Sequence, residues 1–62
     1  MMTRKDYVST AEILSLSRED LLALPNGHTI FENLVNDFSA MFLEDNDRFI
    51  TRRFYSACFG ED

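Results

Sequence analysis

The sequence predicts an all-α domain of three helices, with a short extra helical turn between the first and the second helix. Apolar residues recur every three or four positions rather than alternating, which is typical of amphipathic helices and not of strands. Capping residues and a Pro–Asn–Gly turn separate the segments. With 62 residues there is room for one domain, so we expect one helical unit over 1–62. The predicted helices span about 4–15, 18–24 (short), 29–44 and 49–59.

The first helix begins with a capping signal, in which Asp6 follows Thr3 by three residues. Its apolar positions share one face: Tyr7, Val8, Ala11 and Leu14. A second capping pattern, Ser17 to Asp20, precedes the apolar run 21–24, and Pro25 follows it. We therefore expect a break after residue 15 and a short connector helix that covers one end of the core.

The central helix, residues 29–44, is the best defined element of the sequence. Thr29 and Glu32 fit a capping box at its start. Its apolar residues fall on an arc of roughly 140°: Ile30, Phe31, Leu34, Val35, Phe38, Met41 and Phe42. This arc needs a cover, which either the rest of the chain or a partner protein supplies.

The last helix, predicted over residues 49–59, places its apolar residues within about 100° of one another: Ile50, Phe54, Ala57 and Cys58. Gly60 is suited to the C′ position that ends the helix. We interpret Cys58 as a small buried hydrophobic residue. The alternative, a reactive thiol activated by the nearby Arg52 and Arg53, has weaker support.

Composition restricts the class of protein. The net charge of −5 argues against direct binding to nucleic acid, and no apolar run is long enough to cross a membrane. One cysteine and no export signal predict the cytoplasm. A chain this short buries a small core, which makes self-association or a partner protein more common than in larger domains.

No pattern of catalytic or metal-binding residues is present. His28 is the single histidine and has no nucleophile near it in sequence. Asp45, Asn46 and Asp47 begin like a calcium loop, but Ile50 stands where the turn glycine belongs. We therefore expect a protein without enzymatic activity, cofactor or metal.

The C-terminal half carries the string F-x-x-x-F-x-x-D-N-x-R-F-x-x-x-R-F-x-x-A-C between Phe38 and Cys58, and the chain opens with Lys5-Asp6-Tyr7. In these features, which cover about half of the chain, it resembles small acidic helical proteins encoded by bacteriophages and prophages. Asp47 and Ile50 depart from the group, which commonly has Pro and an acidic cap there. The resemblance implies a phage accessory protein that binds and disables a host protein in the host cytoplasm, for example a nuclease-based defence system, as an anti-CRISPR protein does.

Charge is distributed unevenly along the chain. Residues 19–47 contain seven acids and no Lys or Arg, whereas 48–60 contain three arginines and no acid. Either these arginines pair with the acids of the central helix, or the acids dock on a basic, nucleic-acid-binding groove of a host protein.

Aromatic residues that the core has no evident room for are a second sign of a contact surface. Leu43, Tyr55 and Phe59 either form an exposed apolar patch or fill the core. The predicted partner-binding residues are Glu32, Asp37, Leu43, Glu44, Asp45, Asp47, Tyr55 and Phe59. The alternative function is a homo-oligomeric (for example dimeric) structural or assembly module without a host target.

Overall fold

A computed structural model of the protein describes residues 2–60 and contains three helices. They are α1 (Arg4–Leu22), α2 (Gly27–Asp45) and α3 (Thr51–Cys58). The predicted all-α class is confirmed, since no strand occurs within the described residues. Helices α1 and α2 form an antiparallel pair, so the Met2 N–H reaches the Asp45 carboxylate at 2.9 Å. The shorter α3 packs against both of them.

The separate short helix predicted over 18–24 is not confirmed, because α1 continues without a break to Leu22. The reason is that the core-facing positions continue past residue 15 at helical spacing: Tyr7, Ala11, Leu14, Arg18 and Leu21. Ser17, which suggested a cap, instead donates from its hydroxyl to the Ile13 carbonyl one turn earlier, at 3.5 Å.

The two predicted capping boxes have different outcomes. The Asp6 carboxylate accepts the Thr3 backbone N–H at 2.9 Å, as the sequence predicts. The predicted cap at Thr29 is wrong, because α2 begins two residues earlier, at Gly27. Gly27 is buried, and a Cβ there would overlap the Leu21 carbonyl oxygen. The absence of a side chain lets the backbones of α1 and α2 meet within a four-residue turn.

Helix α3 starts later than predicted, at Thr51. Residues 46–50 form a turn in which Asn46 accepts two backbone N–H groups, that of Phe49 on its carbonyl at 2.9 Å and that of Arg48 on its side chain at 3.1 Å. The helix ends as predicted, with Gly60 at C′ and a φ of 71°.

Aromatic rings dominate the core and form two groups along α2. At one end the buried Phe42 ring lies 4.8 Å from that of Tyr7 and 5.3 Å from that of Phe54. At the other end Phe31 meets Phe59 edge to face at 4.9 Å. Smaller buried residues fill the space between them: Ala11, Leu14, Val35 and Cys58. The core therefore covers one side of α2 along its whole length.

Candidate interaction surface

The apolar arc of α2 divides into a covered side and an exposed side. Phe31, Val35 and Phe42 are 0% exposed. Their neighbours in the same arc remain open to solvent: Ile30 at 43%, Leu34 at 36% and Met41 at 45%. We call these three residues the outer stripe. They lie on one edge of α2 and extend over about 16 Å, given a rise of about 1.5 Å per residue.

Exposed carboxylates lie among the side chains of the outer stripe. Asp37 is three residues after Leu34 and four before Met41, which places it on the same helical edge. Glu44 and Asp45 follow Met41 by three and four residues, and both are exposed. Because α2 contains no Lys or Arg, this edge of the helix combines apolar side chains with charges of negative sign only.

The predicted contact residue Glu32 lies elsewhere on α2. Its side chain faces α3, where it accepts a hydrogen bond from the Tyr55 hydroxyl at 3.4 Å. The His28 imidazole nitrogen Nδ1 is 3.9 Å from the same carboxylate oxygen. Glu32 therefore connects α2 to α3 and is separate from the outer stripe.

Tyr55 and Phe59, also predicted as contact residues, are half-buried and stack on each other at 4.5 Å. Phe59 is held further by the Arg18 guanidinium, which donates to its carbonyl oxygen. Leu43 is 45% exposed but lies eleven residues after Glu32, about 16 Å away along the helix. Leu43 is therefore separate from the Tyr55–Phe59 pair, and the three residues do not form one patch. Asp47, the remaining predicted contact residue, is exposed in the turn before α3.

Asp37, Glu44 and Asp45 of α2 form no ion pair with a Lys or Arg side chain in the part of the chain that the structure describes. Within residues 2–60, the one basic and acidic side-chain pair closer than 4 Å is His28 with Glu32. Arg48, Arg52 and Arg53 make no ion pair there, so the described part of the chain does not show the internal pairing that the sequence left open. The carboxylates around the outer stripe keep their negative potential, which an external cation can meet.

The environment of Cys58 does not favour a reactive thiol. Cys58 is fully buried, and this burial raises the pKa of its thiol from 9.0 to about 11, which disfavours the reactive thiolate. No cluster of three metal-ligating side chains occurs among the residues that the structure describes. In the same part of the chain, no helix is both long and apolar enough to cross a membrane.

No family model matches this sequence, and neither a curated protein nor a solved structure gives a significant match. The site therefore depends on its own geometry. The sequence pattern did not identify Ile30, Leu34 and Met41 as surface residues, because they belong to the same apolar arc of α2 as the buried residues. The signal that could have identified them is the width of that arc, which exceeds what two packed helices cover in a chain this short.

Proposed function

We propose that this protein acts by binding another protein through the outer stripe of α2 and its acidic surroundings. The observation that supports this is the coincidence of two features on one edge of one helix. Three large aliphatic side chains stay exposed there, and around them lie three carboxylates that form no ion pair with Lys or Arg within residues 2–60. Exposed apolar groups surrounded by polar ones are typical of protein interfaces.

Charge complementarity defines the partner as a basic protein surface with apolar positions. Such a surface exists in grooves that bind nucleic acid, where Lys and Arg line a channel for phosphates. The resemblance to phage-encoded proteins supports a host protein in the bacterial cytoplasm as the target, and inhibition or modulation of that protein as the result. A protein that occupies such a groove blocks it by exclusion and needs no catalytic group or cofactor of its own.

Self-association into a structural or assembly module is the second candidate, and the outer stripe also favours it. Two copies could bury their stripes against each other and so complete a small core. The charges oppose this arrangement, because an antiparallel pair of α2 helices with opposed stripes places Asp37, near the middle of the stripe, close to Asp37 of the other copy. A basic partner has no such conflict, which is why we place it first.

Affinity capture from a bacterial host lysate tests the proposal. The bait is the wild-type protein, and Asp37→Lys with Glu44→Lys reverses the charge around the outer stripe. The matched control is Glu12→Lys with Glu19→Lys, which makes the same change in net charge on exposed positions of α1. We expect one stoichiometric host protein bound by the wild type and the control, lost in the α2 variant, and released by high salt.

Two results would contradict the proposal. Capture that is equally weakened by both double substitutions would show that only net charge matters. A dimer that forms at rising protein concentration, together with no host protein captured, would instead favour the assembly module; sedimentation analysis measures it.

A further inference from the structure

A cavity lies between α1 and α3, lined by none of the three residues of the outer stripe. It encloses about 420 Å³, within the range of small-molecule sites in proteins. Residues of α1, of the turn before α3 and of α3 itself line it. The proposed protein contact through the outer stripe does not use this cavity.

The charge of the cavity is opposite to that of the rest of the protein. Three arginines line it, Arg4, Arg48 and Arg53, although the chain has only six Lys and Arg residues in all and a net charge of −5. Among the residues that the structure describes, no Asp or Glu lines it. None of the three guanidinium groups makes an ion pair within the described residues. The fork of N–H donors on each arginine suits carboxylate and phosphate oxygens.

The start of α3 adds to this positive potential. Ile50, its N-cap residue, lines the cavity and supplies no side-chain cap, and the first turn of α3 contains no acid. The N–H groups of a helix start carry partial positive charge, which favours an anion nearby. The charge of the helix start and that of the arginines therefore act in the same direction.

Apolar groups form the rest of the cavity wall. Val8 contributes from α1 and Ala57 from α3. Phe49 contributes from the turn that joins α2 to α3. Tyr7 and Phe54 hold Phe49 in place, with ring centres 4.7 Å and 5.7 Å from it. The wall can therefore bury the hydrocarbon part of a ligand, while the arginines meet an anionic group at the opening.

We propose that the α1–α3 cavity binds a small organic anion, a molecule with an apolar body and one carboxylate, phosphate or sulfonate group. An apolar body alone would leave three cations without a counter-charge, and an inorganic anion alone would leave the apolar wall in contact with water. The ligand class that satisfies both parts of the cavity carries both features. The affinity for this ligand falls as salt rises, because the three arginines that line the cavity are exposed to solvent.

A fluorescence titration with two probes of the same body tests the charge requirement. Anilinonaphthalene sulfonate carries an anionic group, and phenylnaphthylamine has a closely similar aromatic body without it. We expect one site per chain and at least about fivefold tighter binding of the sulfonate, the upper range for one exposed ion pair. Equal affinity of the two probes would overturn the proposal.

Neighbouring arginines provide a matched pair of variants. Arg53 lines the cavity, whereas Arg52 is exposed outside it, so Arg53→Gln should weaken binding of the sulfonate several-fold and Arg52→Gln should not. Ala57→Phe fills the cavity without a change in charge and should weaken both probes. If circular dichroism shows that the Arg53→Gln variant has lost helix, the Arg48→Gln variant is used in its place. Equal effects at Arg52 and Arg53, or backbone NMR shifts centred away from the cavity, would show that the site is elsewhere.

Discussion

The two sides of α2 both carry large apolar side chains but have different environments. Phe31, Val35 and Phe42 are fully buried, while the adjacent positions Leu34 and Met41 are exposed by more than a third. The difference arises from α1 and α3, which together enclose only one side of the helix. Apolar character alone therefore does not distinguish a buried position of α2 from an exposed one. Whether an apolar residue of α2 is buried depends on where the short α3 packs.

The largest expected difference between the two sides is at the neighbours Phe42 and Met41. Phe42→Ala should lower the free energy of unfolding by about 3–5 kcal/mol, because it removes a buried ring that three other aromatic rings contact within 5.5 Å. Met41→Ala should cost about 1 kcal/mol or less. Urea unfolding followed by circular dichroism measures both. Similar losses would mean that Met41 is covered in solution.

At the start of α2, the covered side depends on the close approach of two backbones. Gly27→Ala should destabilise the protein by more than about 2 kcal/mol, because the added methyl group overlaps the Leu21 carbonyl oxygen and α1 must shift. Asn26→Ala, one residue earlier, is the control and should have a small effect, since the Asn26 side chain makes no cap hydrogen bond. Thermal unfolding of both variants checks this prediction, and equal melting temperatures would contradict it.

Cys58 covers α2 from α3 and makes the stability depend on pH. Burial raises its thiol pKa from 9.0 to about 11, so the folded state keeps the proton over a range where the unfolded state loses it. The protonated thiol therefore contributes fully to the free energy of unfolding below pH 9. This free energy falls by roughly 2–3 kcal/mol as the pH rises towards 11, at about 1.4 kcal/mol per pKa unit. Unfolding midpoints across this range should fall more steeply for the wild type than for Cys58→Ala; parallel curves would show that the thiol is not buried.

Ser39 is the one polar residue on the covered side, and its hydroxyl is buried without a hydrogen-bond partner in the described part of the chain. Ser39→Ala should therefore stabilise the protein by about 1 kcal/mol. Ser9→Ala, at an exposed position of α1, is the control for helix propensity alone and should contribute about 0.5 kcal/mol or less. A gain at Ser39 no larger than at Ser9 would indicate that the hydroxyl has a partner.

The local patterns of the sequence were sufficient for the fold class, for the cap at Thr3 and for the end of α3 at Gly60. They failed at Ser17 and Thr29, where residues with good capping chemistry lie inside a helix because tertiary packing extends it. The pattern of residues 18–24 was ambiguous for the same reason. A cap signature predicts a helix start only if no core contact continues through it.

Prediction of the candidate site was less complete. Exposed Asp37 and Glu44 follow from the helical spacing of α2, but Glu32 and Tyr55 turned out to contact each other, which depends on how α3 packs. The arginine-lined cavity could not be predicted, because Arg4 and Arg53 are 49 residues apart and meet only in the folded chain.

The central claim is that the outer stripe serves binding rather than folding, and one double variant tests it. Leu34→Gln with Met41→Gln keeps good helix formers at both positions and removes two of the three exposed apolar side chains. We predict an unfolding free energy within about 1 kcal/mol of the wild type, together with loss of the captured host protein. A loss of stability comparable to that of Phe42→Ala, or capture that is unchanged, would contradict the claim.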